Sequence, residues 1–384
     1  MVNEKLMQNI ADNFDFAELF RETTRNVTRQ LEEKITGETL KGITNFYLTG
    51  CGDSLFEAFA AANIFEKYTG LRTEAIEALE FSKYRAGFVQ PGTMVFCISN
   101  SGGASRTIET VQSANAAGAF TVAVSGNDKS VLAQEARLLI HRPVPQFPGV
   151  LGNCGRVVRN MAEYVLSLHV LYLVGLHIAV VLGKLPGEER DRLVSLLLEQ
   201  PANILKTARA CAKPICEYVE KYRDEQAFFF LGAGPNYATA LFGSAKLHED
   251  VPVNGVGEWM EEWCHLQYFL SLNEEHKSHL CLIAAPGKSR NRAAEIAASA
   301  RSMDIPVLEL RSEGDSSPVL DGVVTLPVCD GGVPEIFSPM VYCTPLQLLG
   351  IYWALERGAE SVPLSRADDY KLIRGSAIEV DYMK

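Results

Sequence analysis

The chain has 384 residues, too many for one ordinary domain and enough for two. Hydrophobic residues make up 47% and charged residues 22%, the balance of a globular protein with a large core. A formal net charge of −11 excludes broad nucleic-acid binding, since most of the surface would repel a phosphate backbone; a small anion can still be held by backbone amides and helix N-termini.

Residues 1–42 read as helical, with apolar positions at helical spacing and a Gly-containing turn at the end. The run TNFYLTGCGDS is a short apolar strand entering Gly50 and Gly52, and the helix after it stops at Gly70. The stretch LRTEAIEALEFSKY alternates as an edge strand plus helix would. TMVFCISNSGGAS then reads as a buried strand breaking into a Ser/Gly loop. The helix TIETVQSANAAG and the strand FTVAVSG complete a β-α-β-α-β run, which implies a parallel sheet.

After residue 140 the pattern changes to the Pro-rich HRPVPQFPGV, read as a linker or loop. Two long helices follow, from about Cys154 to Leu182 and from about Glu188 to Lys221. Tyr164–Gly183 is uncharged for 20 residues, long enough to cross a bilayer. It lacks a basic flank on one side only and carries His169 and His177, so a helix buried on all sides is the expectation, its histidines satisfied in the core. Nine cysteines are scattered without a CxxC pair, which suits free thiols in a reducing cytoplasm, and the opening residues show no apolar export signal.

From Phe228 the first pattern returns. Gly50 and Gly52 recur as Gly232 and Gly234, 182 residues later, and Gly102 recurs as Gly287, 185 residues later. The chain therefore reads as an α/β protein of two doubly wound, flavodoxin-like halves from an internal duplication, joined by long helices. The expected segments are 1–42 helical, 43–200 the first half with its helical linker, 201–365 the second half, and 366–384 a C-terminal tail.

Three stretches carry chemistry. Ser99-Asn100-Ser101-Gly102-Gly103-Ala104-Ser105 ends a strand in hydroxyls and glycines ahead of a helix, placing donors around an anion with the helix dipole assisting. The lysine of a nucleotide P-loop is missing, so one phosphate is expected rather than three. Gly50-Cys51-Gly52-Asp53-Ser54 is a second strand-to-helix turn whose Ser54 hydroxyl points at the same open end. A simple tight turn explains it equally well. Ala245–His265 crowds Lys246, His248, Glu249, Glu258, Glu261, Glu262 and His265 among Trp259, Met260, Trp263 and Cys264. Carboxylate and imidazole in a partly apolar setting suit proton transfer on a carbon acid.

Taken together, the SNSG loop, the GCGDS turn, the duplication and the AKLHE helix resemble the double SIS (sugar isomerase) family over roughly residues 40 to 384. The isomerase half of glucosamine-6-phosphate synthase and the fructosamine-phosphate deglycases belong to that family. The resemblance implies that Glu249 of Lys246-Leu247-His248-Glu249 moves a proton between C1 and C2 of an acyclic sugar phosphate. His265, sixteen residues on, would open the ring from a neighbouring subunit of a homodimer, and Lys246 or Arg374 would stabilise the enediolate. Gly52, Ser54, Ser99, Asn100, Ser101 and Ser105 would bind the phosphate.

This sequence departs from the family at several points. Leu266-Gln267 follows His265 where the family has Gly-Pro, Ala104 stands where a hydroxyl is usual, and the second-half loop Ala284–Ser289 has lost most hydroxyls. In the tail the resemblance implies an imine-forming lysine, but Arg374 stands at about that place, with Lys371 three residues before, and an arginine forms no Schiff base. Making an amino sugar from glutamine would need a glutaminase domain, which these residues do not include. No metal site, cofactor, nucleic-acid partner or membrane association is expected. C–N cleavage of a fructosamine or amino-sugar phosphate and non-catalytic sugar-phosphate sensing stay open beside isomerisation.

Overall fold

A computed structural model describes residues 4–142, 144–145, 153–225, 227–251, 253–272, 278–357 and 378. The chain divides into two compact units. One takes the chain from Glu18 through a first sheet and then Glu163–Leu198; the other takes the residues before Glu18 and the chain from Glu199 through a second sheet. The boundary thus cuts both long helices, since residues 153–162 belong with the second sheet, as does the opening helix.

In the first unit, α2 (Ala17–Lys34) precedes β1 (Asn45–Gly50), whereas α1 (Glu4–Asp12) falls in the other unit. Next come α3 (Asp53–Thr69), β2 (Arg72–Glu77) and the single turn α4 (Ala78–Glu80), which runs on through a wider π turn (Phe81–Arg85) and a tighter 3-10 turn (Ala86–Phe88). Then β3 (Thr93–Ser99), α5 (Ser105–Ala116), β4 (Phe120–Ser125), α6 (Val131–Glu135) and β5 (Leu138–His141) finish the layer. All pairings are parallel, in the order β2-β1-β3-β4-β5. Every residue of β3 is buried, as expected of a central strand covered on both faces. β5, four residues long, is too short to stand out in the sequence, where the Pro-rich stretch beside it reads as linker.

The long helices are α7 (Asn153–Val181) and α8 (Gly187–Tyr222). Among the described residues one segment, Val158–Val181, is long and apolar enough to cross a membrane, and 89% of its most apolar window is buried inside the protein. His169 and His177 are core histidines. Thr24 Oγ1 lies 2.7 Å from His169 Nε2, and the Ile35 carbonyl lies 2.9 Å from His177 Nε2. Burial pushes the His169 imidazole down to about 3, so it stays neutral at ordinary pH.

The second unit repeats the plan with β6 (Ala227–Gly232), α9 (Tyr237–Asp250), β7 (Asn254–Trp259), α10 (Met260–His265), β8 (His279–Ala284), α11 (Arg290–Ser302), β9 (Val307–Ser312), β10 (Val323–Val328) and α12 (Pro339–Glu356). Its parallel order is β10-β9-β8-β6-β7, the first sheet's order read from the other edge. The duplication read from the glycines is therefore a duplication of topology. Neither β7 nor β10 was legible as a strand. The motif Asn254–Trp259, NGVGEW, is glycine-rich because α9 lies directly on it: a Cβ on Gly255 would fall 3.0 Å from the Ser244 backbone, and one on Gly257 2.7 Å from the Leu241 backbone.

Candidate active site

β1 and β3 are parallel neighbours in register, Thr49 opposite Cys97, so their carboxyl ends open on one edge of the first sheet. The strand order reverses between them, which makes this edge the switch point where open α/β sheets bind ligands. Both chemistry-bearing turns of the first half end here. Gly50 must be glycine, because a Cβ would lie 2.7 Å from Ser54 Cβ, and Gly52 starts α3 at φ 57 without a side-chain cap. Ser54 is half-buried at that helix start.

The loop after β3 is tied from inside. The Gly102 amide donates to both the carbonyl and Oγ of Ser99, 3.2 Å each, and the Gly103 amide donates to Ser101 Oγ at 3.2 Å. Gly102 takes φ +63 with Ser130 packed against it; a Cβ there would lie 2.1 Å from Ser130 Oγ. Ser99 is buried, Ser101 exposed and Ser105 half-buried at the first turn of α5. Ala104, the residue before α5, supplies no side-chain cap, so no such cap competes for the helix-start amides that suit an anion. The Asn100 side chain faces inward: its amide nitrogen donates to Glu163 and its oxygen accepts from Arg142. Sequence reasoning missed Arg142 and Glu163, one lying in the apparent linker and the other in an apolar helix.

The corresponding loops of the second half are filled by the protein itself. Glu335 places its carboxylate over Gly287, where a Cβ would lie 2.0 Å from Glu335 Cδ, and accepts the Lys288 amide at 3.2 Å. In the other turn Asn236 donates to Ser338 Oγ at 2.8 Å and accepts from Thr239 Oγ1 at 2.9 Å. The loss of hydroxyls from Ala284–Ser289 thus coincides with an internal carboxylate.

The proton-transfer candidates sit on α9 and α10. Lys246 is 1% exposed, its ammonium 2.8 Å from Glu249 Oε2 and 4.7 Å from the Phe242 ring centre, while the Glu249 side chain is 51% exposed. A burial-costly ammonium therefore holds a carboxylate that solvent can reach. His248 is exposed, and its Nε2 accepts the Gly255 amide at 3.2 Å, which ends α9 beside the start of β7. At the other end Tyr237 stacks on Trp259, centroids 3.6 Å apart.

α9 therefore runs antiparallel to β7, and Glu249 lies at the amino edge of the strand. His265 follows β7 at its carboxyl edge. A six-residue strand puts roughly 20 Å between those edges, so one copy of this unit does not bring the two groups together. Met260 and Trp263 anchor α10 in the second core, turning Glu261, Glu262 and His265 outward. His265 Nε2 lies 3.4 Å from Glu261, which Arg292 also holds at 2.9 and 3.0 Å; that guanidinium lowers the Glu261 carboxyl. Glu261 is one of the two positions, three and four residues before, that His265 can face on a helix. Arg374 and Lys371 lie outside the described residues. Among the described residues no group of three His, Cys, Asp or Glu could hold a metal ion.

Comparison with known proteins agrees with the fold. Residues 40–173 match the SIS domain family model. The first half of the chain thus carries the SIS-domain match. The second sheet repeats the strand order of the first. Over 328 residues it is 26% identical to the glutamine–fructose-6-phosphate aminotransferase (isomerizing) of Gloeobacter violaceus, an alignment covering 85% of this chain and 51% of that one. The chain spans about half the length of the curated relatives it matches. The fold is similar to the C-terminal domain of glucosamine-fructose-6-phosphate aminotransferase from Francisella tularensis, with TM-score 0.73, 18% identity, and 89% and 96% of the two chains covered. It is also similar to glucosamine-6-phosphate deaminase from Thermotoga maritima, with TM-score 0.59, 19% identity, and 90% and 97% covered. The chain thus has relatives and fold neighbours named for sugar-phosphate chemistry.

Proposed function

We propose that this chain is a phosphosugar aldose–ketose isomerase that transfers a proton between C1 and C2 of an acyclic sugar phosphate. The observation that carries the reading is the Lys246–Glu249 pair, a reachable carboxylate held by a buried ammonium. In this reading Glu249 takes the proton beside the carbonyl and Lys246 offsets the charge that develops on the enediolate oxygen. The hydroxyls of Ser54, Ser99, Ser101 and Ser105, with the amides at the starts of α3 and α5, hold the phosphate. His265 assists ring opening from a second copy of the chain in a homodimer, and Arg374 holds charge on the substrate from the tail. The carboxylate's loss of a neighbouring positive charge would slow the chemistry more than the binding.

A second reading is C–N cleavage or transfer on an amino-sugar or fructosamine phosphate. The names of the Thermotoga deaminase and of the aminotransferase relatives favour it, and the same carboxylate would serve. Proton NMR of the purified protein in deuterated water, with a panel of ketose, aldose and fructosamine phosphates, separates the two. Deuterium entering C1 or C2 supports isomerisation, and release of a free amine supports the second reading. Binding without either reaction across the panel points to a sensor and sinks both enzymatic readings. Glu249→Gln should abolish turnover while leaving ligand affinity within about threefold.

A further inference from the structure

We propose that Arg142 is a positioning residue for the phosphate loop, acting through Asn100, so that anion affinity depends on a buried guanidinium that never touches the ligand. The proposal rests on the assignment of Ser99–Ser105 as the phosphate loop. Arg142 follows β5, two strands from β3, and is only 2% exposed. Its main-chain amide donates to the Ser125 carbonyl at 2.8 Å, which fixes its start at the end of β4. One guanidinium nitrogen donates to the Glu163 carbonyl at 3.2 Å; another donates to Asn100 Oδ1. The Asn100 amide nitrogen closes the circuit on the Glu163 carboxylate. A fork with fixed donor directions thus determines the plane of one side chain.

The position of Asn100 gives that constraint its consequence. It stands between the two loop serines, and its carbonyl is held by the Gly126 amide at 3.0 Å and by Ser125 Oγ at 3.4 Å. No slack is available on the far side either: a Cβ on Gly126 would lie 2.7 Å from Asn100 Oδ1. With both side-chain atoms of Asn100 engaged inward, the residue sets where Ser99 and Ser101 place their hydroxyls and where Gly102 and Gly103 place their amides. Beneath this lies Glu57 on α3, 5% exposed, accepting from Ser167 Oγ of α7 at 2.6 Å. Burying such a polar set brings little net stability compared with an apolar core of the same shape. A gain in the placement of loop donors is a reason for it to be there.

The test uses the full-length chain and two probes, fructose 6-phosphate and inorganic phosphate, titrated calorimetrically. Asn100→Ala, which removes no charge, should raise the Kd for both by about tenfold or more, because loop donors lose their fixed directions. Arg142→Lys keeps the charge but loses the fork and should weaken binding similarly. The double variant should be no weaker than the worse single one, since both act through one contact. Under the deuterium-exchange assay the losses should fall on KM, with kcat at saturating substrate within about threefold of wild type. If Arg142→Lys does not fold, Asn100→Ala decides the matter. Folded variants that bind as tightly as wild type, or whose losses simply add, overturn the positioning role. Wild-type protein that binds neither probe overturns the phosphate loop itself, and this inference with it.

Discussion

The Lys246–Glu249 pair makes an asymmetric prediction about stability. The two partners differ sharply in burial, 1% against 51% side-chain exposure, at a separation of 2.8 Å. Glu249→Gln removes one charged partner of a buried ammonium. Breaking a fully buried ion pair costs about 3–5 kcal/mol, and since this pair opens to solvent on the Glu249 side and Lys246 keeps other contacts, a discounted cost of roughly 1–3 kcal/mol is expected. Lys246→Met removes the buried charge and leaves a carboxylate that water can solvate, with Phe242 beneath to receive the thioether. That change should cost less than about 1 kcal/mol. At roughly 2–4 °C per kcal/mol for a unit of this size, Glu249→Gln should lower Tm by about 2–12 °C and Lys246→Met by no more than about 4 °C. Both should lose about a hundredfold or more in the exchange assay, the scale of one missing electrostatic stabiliser. Calorimetric melts beside the exchange rates check this. A Glu249→Gln protein as stable as wild type, with Lys246→Met the damaged one, would refute the argument that the carboxylate offsets a desolvated ammonium.

Further outcomes follow from the same structure. Burial, acting against Arg142 and Ser167, pushes the Glu57 carboxyl up to about 8, so the folded chain keeps a proton that the unfolded chain releases near its ordinary value of 4.5. The stability this contributes is present below that ordinary value and is lost as pH rises toward about 8; Glu57→Gln should remove this part of the slope, and identical pH profiles of chemical denaturation for the two proteins would count against it. Gly102→Ala meets Ser130 Oγ at 2.1 Å and forces an L side chain to φ +63, so it should cost about 3 kcal/mol or more, with Gly102→Ala/Ser130→Gly recovering the overlap but not the backbone strain, about 1–2 kcal/mol. If His265 serves the site of a second copy, mixing inactive Glu249→Gln and His265→Ala proteins under conditions of subunit exchange should restore about a quarter of wild-type activity, since one site in half of the dimers is intact. A mixture that stays inactive while both proteins are folded and dimeric argues against a shared site.

Much of the fold was open to reading because the relevant signals are local. Apolar runs that end in Gly50-Cys51-Gly52 and Ser99–Gly103 mark buried parallel strands turning into helices, and their recurrence at Gly232 and Gly287 marks the duplication. The uniform apolarity of Tyr164–Gly183 identified a helix without an exposed face. β5, β7 and β10 escaped because edge strands are short or carry residues chosen by what lies on them, as Gly255 and Gly257 are by α9.

The sequence by itself determined the candidate chemistry, since hydroxyls, carboxylate and imidazole at a characteristic spacing are properties of residue type and order. Only the tertiary structure decided which groups meet. It turned Asn100 inward onto Arg142 and Glu163, buried Lys246 beneath Glu249, put the Glu335 carboxylate over the second-half loop, and set Glu249 and His265 at opposite edges of one strand. The physical reason is that burial and hydrogen-bond partnership arise between segments far apart in the chain, through strand register and helix direction. Sixteen residues of spacing carry no information about which edge of a sheet a side chain reaches.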